Sequence, residues 1–161
     1  MKNRFVSVLA LGALLLAGCA LPQATTGSSS PAEADGPPPG MNAQGEVVDS
    51  SLIEAGSGRT VKGINDWEGE ITGKPFPGAK FTKLRIGMPR AEVVRVLGPP
   101  TDEGSYITGK AFIPFYYGSD RTRTELAYKG QGRLVFSTDG GFGSNQYLTW
   151  IIYNRNDSGS R

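Results

Sequence analysis

The chain has 161 residues, with 23 glycines, 11 prolines, one cysteine and no histidine. Without histidine or a second thiol, Ser-His-Asp and Cys-His nucleophiles, the usual zinc sites and any internal disulfide are excluded. The formal charge of +2 traces to Lys2 and Arg4, so the rest of the chain is balanced overall, and no nucleic-acid partner is expected.

Taken in order, residues 1–18 read as a cleaved lipoprotein signal peptide. Lys2 and Arg4 supply a positive start, and Phe5 to Ala17 is an apolar run too short for a bilayer that needs roughly twenty residues. Leu16, Ala17 and Gly18 lead directly into Cys19, which resembles the lipobox of bacterial lipoproteins. That resemblance implies acylation of Cys19 and anchoring to membrane lipid. Several acyl chains on one residue hold firmly, because each buried CH₂ contributes about 0.8 kcal/mol. Ala20, in place of an aspartate, implies by the same resemblance export to the outer membrane, with the domain facing the periplasm.

Residues 20–45 are rich in Pro, Gly, Ser, Ala and Thr and poor in large apolar side chains. Such a segment cannot offset its ordering entropy, so it reads as a flexible tether reaching roughly 25 to 30 Å. Residues 46–73 are ambiguous: Val47, Val48, Leu52 and Ile53 could form a short amphipathic turn, and Val61, Ile64, Trp67 and Ile71 are irregularly spaced among glycines. Trp67 has two readings, an anchor folding this arm onto the domain or a partner-binding aromatic. Charge divides here. Residues 19–72 hold two basic and eight acidic side chains, and 73–161 hold thirteen basic and seven acidic. That pattern suits either a solvated surface or a basic domain facing anionic phospholipid and acidic partners.

The clearest local signal runs from Phe81 to Thr101. Phe81 to Arg85 reads as a helical turn, followed by a tight corner at Gly87 and Met88. Pro89 suits the first position of a helix on which Val93, Val94 and Leu97 share one face. Gly98 can close the helix in a left-handed conformation, and Pro99 with Pro100 forbids continuation.

The string KLRIGMPRAEVVRVLGPPT in this region resembles the signature of the SmpA/OmlA family of small bacterial outer-membrane lipoproteins, which includes the BamE component of the β-barrel assembly machinery. The turn at Ile86, Gly87 and Met88, the spacing of Val93 and Leu97, and the exit through Gly98 and Pro100 carry the match. The resemblance implies a non-catalytic accessory subunit without cofactors, docked on outer-membrane assembly proteins and supporting envelope integrity.

Residues 102–120 are the most aromatic stretch, with Phe112, Phe115, Tyr116 and Tyr117 either packed in the core or exposed as a partner surface. They read as a loop or short helical turn, longer than the family pattern implies. Three strands follow at Thr124 to Lys129, Arg133 to Thr138 and Leu148 to Asn154. The first two are joined at Gly130 to Gly132, and the last places Leu148, Trp150 and Ile152 on one face. Residues 156–161 read as a frayed tail.

The carboxylates Asp102, Glu103, Asp120 and Glu125 read as turn formers and solvated ends. The expected protein is α+β: a two-helix, three-stranded antiparallel domain (ααβββ) over 76–155, behind a lipidated tether and arm over 19–75. Its expected role is binding. The alternatives are an inhibitor-like or ligand-binding periplasmic module using 112–117, and a structural envelope lipoprotein unrelated to barrel assembly.

Overall fold

The computed structural model describes residues 36–112, 121–139 and 145–161, all within one contact unit, Ala34–Arg161. Six strands form one mixed sheet: β1 (Arg59–Lys62), β2 (Glu68–Thr72), β3 (Asp102–Ile107), β4 (Thr122–Tyr128), β5 (Gly132–Thr138) and β6 (Gln146–Tyr153), in the order β1-β2-β6-β5-β4-β3. The described residues contain one α-helix, α1 (Arg90–Leu97). The two-helix, three-stranded antiparallel expectation is therefore overturned. The turn expected at Phe81 to Arg85 is a 3₁₀ helix, Lys80–Lys83. β1 and β2 come from the arm that reads as irregular, and β3 comes from the expected loop.

Two glycines explain why the arm hides its strands. At Gly63 a Cβ would run into the Ile86 carbonyl, and at Gly69 into that of Thr149. Each glycine marks close backbone approach rather than a loop. Between the strands, Asn65 and Asp66 adopt φ values of 52° and 60°, the left-handed pair of a two-residue hairpin turn. Trp67 N–H closes it onto the Ile64 carbonyl at 3.1 Å. β2 then runs parallel to β6, with Ile71 opposite Ile151. β3 to β6 form an antiparallel meander.

The sheet is packed on both faces. On one, Leu126, Leu134, Phe136, Leu148 and Ile151 lie beneath Val93 of α1 and beneath Phe81, Leu84, Ile86 and Met88. Full burial of each large side chain contributes about 1.5–3 kcal/mol. Phe81 meets Tyr128 edge-on, with centroids 5.7 Å apart at 83°. On the other face, Val47, Met41 and Ile53 of the arm cover Val135, Trp150 and Ile152.

A bulge separates residues that simple alternation groups together. Val135 opposes Trp150 and Phe136 opposes Leu148, so Thr149 is the extra residue. Leu148 therefore faces the main core while Trp150 and Ile152 face the other side, contrary to the single face expected for all three. The local ladder is supplemented by the Thr149 hydroxyl, which donates to the Val135 carbonyl at 3.2 Å.

The final residues, expected to fray, are held down. Asn154 donates to Ser50 Oγ at 2.9 Å. Beyond it, the buried Asp157 accepts from Arg133 Nε at 3.3 Å, and Arg133 also reaches Glu125 at 2.8 Å and the Ser160 carbonyl at 3.0 Å. Arg161 N–H reaches the Asp102 carboxylate at 3.0 Å.

Candidate binding surface

The helix motif builds the core. Gly87 has φ +87°, and a Cβ there would lie 2.6 Å from the Ile64 carbonyl oxygen and 2.9 Å from Trp67 Cβ. Met88 is buried, and its Sδ accepts from Arg85 N–H at 3.1 Å. Pro89 is the N-cap, one position earlier than expected, and Val93 N–H bonds to its carbonyl at 3.1 Å. Val93 is fully buried, and Leu97 packs against the core from a partly buried position. Gly98 ends the helix at φ +87°, ψ −178°, a region that only glycine occupies comfortably, rather than the left-handed helical geometry expected. Pro100 then leads into Thr101, whose N–H bonds to the Ala127 carbonyl at 2.8 Å and delivers the chain to β3.

Of the residues expected to carry function, Leu16, Ala17, Gly18 and Cys19, and likewise Phe115, Tyr116 and Tyr117, lie outside the described residues. Trp67 is half-buried against the main core and stacks on Tyr147 at 4.9 Å and 27°. Phe112, at the end of the 3₁₀ helix Gly109–Phe112, is 80% exposed. Trp67 belongs to the β1–β2 end of the sheet and Phe112 follows β3 at the other, so the two do not belong to one site.

The edge residues that sequence reasoning missed adjoin Phe112. Tyr106 is 38% exposed and Ile107 64% exposed, both on β3, the last strand in the order. The opposite edge, β1, is four residues long with Arg59 and Lys62 at its ends, a short and charged strand of the kind that discourages pairing. β3 is longer, contains no proline or lysine, and leads into an apolar corner.

Electrostatics fix the start of this strand. Glu103 pairs with Arg90 at 2.5 Å, and Asp102 lies 3.6 Å from Arg161 Nε. The backbone N–H groups of Arg161 and then of Glu103 hold the Asp102 carboxyl below its ordinary range. These two carboxylates are therefore structural partners. Glu125 is likewise occupied by Arg133, and Asp120 lies outside the described residues.

Two of the concavities among the described residues lie beside the main core. One, of about 390 Å³, lies between Val61–Ile64 and Leu84–Ile86, floored by Ile71 and Ile151 and bordered by Lys62 and Arg85. The other, of about 370 Å³, lies between the start of α1 and Asn145–Tyr147. Neither has a carboxylate in its lining, so neither assembles an acid–base pair. Among the described residues no group of three His, Cys, Asp or Glu side chains could hold a metal ion, and no helix is long and apolar enough to cross a membrane.

No family model, curated protein or solved structure matches the chain.

Proposed function

We propose that the chain is a lipid-anchored envelope protein that works by holding neighbouring proteins, with no catalytic step of its own. The observation that carries this reading is the apolar corner of Tyr106, Ile107 and Phe112 at the open end of the sheet. Exposed apolar side chains gathered at an unpaired sheet edge mark contact sites. Cys19, preceded by Leu16, Ala17 and Gly18, supplies the anchor. Tethering raises the effective concentration of a small domain near its partners, so modest contacts suffice.

The partners proposed are outer-membrane assembly proteins, in keeping with the Ile86-Gly87-Met88 turn and the Leu97-Gly98 exit. The six-stranded mixed sheet departs from the fold which that resemblance implies, so the motif and the anchor support this choice of partner. Membrane fractionation and affinity purification test the two halves separately. Wild-type protein should sediment with outer membranes and Cys19→Ser should not. The tagged wild type should bring down barrel-assembly components in mild detergent. Equal sedimentation of both forms would refute the anchor, and recovery of no assembly component would refute the partner.

A further inference from the structure

The backbone of β3 carries unused pairing capacity, and its direction can be worked out. Thr108 N–H bonds to the Arg121 carbonyl at 2.9 Å, and the antiparallel register places Ile107 opposite Thr122, Tyr106 opposite Arg123 and Gly104 opposite Glu125. Hydrogen-bonded and non-bonded pairs alternate in such a ladder. Tyr106, Gly104 and Asp102 thus direct their main-chain groups at β4, while Ile107, Ser105 and Glu103 direct theirs away from the sheet. Glu103 N–H is taken by the Asp102 carboxylate at 2.8 Å. The N–H and C=O of Ser105 and Ile107 point away from the sheet and have no hydrogen-bond partner among the described residues.

We infer that this edge takes up an extended polypeptide segment, apolar with an acidic residue, which adds to the sheet as a further strand beside β3. The inference rests on the binding reading above and specifies how the partner is held. Main-chain bonds to Ser105 and Ile107 supply the register, and side chains of the incoming strand flank Ile107 on one face and Tyr106 on the other. Charge selects the occupant. Both β3 carboxylates are already matched by arginines, whereas the exposed Arg121, which immediately precedes β4, has no ion pair among the described residues. A segment with an acidic side chain beside Thr108, on the face that Thr108 shares with Arg121, would meet that guanidinium.

The test uses the full chain in detergent micelles and a blocked peptide of alternating valine and threonine with one central glutamate. Amide exchange at Ser105 and Ile107 should slow at least tenfold on binding, with Gly104 and Tyr106, already in the β4 ladder, unchanged. The same peptide N-methylated on alternate residues should lose at least tenfold in affinity, and so should a lysine counterpart. Ile107→Pro removes an outward donor and no ladder bond, so it should lose binding to a similar extent while the far-ultraviolet circular dichroism is kept. Should that variant unfold, the N-methylated peptide probes the same bonds without altering the protein. Equal binding of the N-methylated or lysine peptide, or no protection of the two amides, overturns the inference. Protection that rises with protein concentration alone also overturns it, in favour of self-pairing. Cys19→Ser should leave every one of these readings unchanged, which separates failure here from failure of the anchor.

Discussion

Replacing Asp157 with alanine should destabilise the domain by about 3 kcal/mol, since removing one partner of a buried ion pair costs about 3–5 kcal/mol. The Asp157 side chain is 1% exposed and accepts from Arg133 Nε and from Gly159 N–H, the latter at 2.8 Å. Its loss leaves a buried guanidinium with one ionic partner, Glu125, and one carbonyl, that of Ser160, which puts the cost at the lower end of that range. For a unit of this size the corresponding fall in Tm is about 10 °C, measurable by calorimetry or by denaturant unfolding. If the cost comes from the orphaned charge, the double variant Arg133→Met with Asp157→Leu should recover part of the loss. A Tm change below about 2 °C for Asp157→Ala would show that residues 156–161 fray and that the described tail packing is wrong.

Gly98→Ala and Gly87→Ala separate two kinds of cost. Both sites have φ +87°, but a Cβ at Gly98 meets nothing within 4 Å, whereas at Gly87 it meets the Ile64 carbonyl and Trp67. Gly98→Ala should therefore cost about 1–3 kcal/mol from backbone strain alone, and Gly87→Ala should cost more in the same unfolding assay. The Asp102 carboxyl is held below its ordinary value by the Arg161 and Glu103 N–H groups. Its contribution is present above the unfolded carboxylate pKa of about 4 and is lost as pH falls through the lower folded value. Protection of the Arg161 amide should be flat between about pH 5 and 7 and fall in acid, and Asp102→Asn should abolish that fall. Phe81→Ala, at a fully buried ring packed on Tyr128 and Tyr153, should cost about 3–5 kcal/mol by chemical denaturation.

The legible parts of the fold were those specified by neighbouring residues. Pro89 starts α1 with a φ of −59° that its ring favours, Gly98 ends it in a conformation that favours glycine, and the Gly130 turn joins two strands whose inner residues alternate. The missed parts depend on distant partners. β2 reads as polar because Glu70 accepts from the N–H groups of Gly56 and Gly58 at 2.8 and 2.6 Å, and Thr72 is buried to receive Trp150 Nε1 at 2.9 Å. Asn65-Asp66 was a usable hairpin signal. The bulge at Thr149 shifts the face of Trp150 without leaving a mark in the hydrophobic pattern. The tail reads as loose because nothing within it reveals that Asp157 meets Arg133 across the sheet. At the candidate surface, the sequence leaves Phe112 open between core and partner surface, and Ile107 became relevant only once β3 was known to be an edge.

The most direct measurement is site-specific photo-crosslinking in living cells, with the reactive group placed at Ile107 and, as a comparison, at Arg95 on the exposed side of α1. The account predicts a light-dependent adduct with an envelope protein from position 107 and none from position 95. Adducts of equal yield from both positions, or from neither, would contradict it.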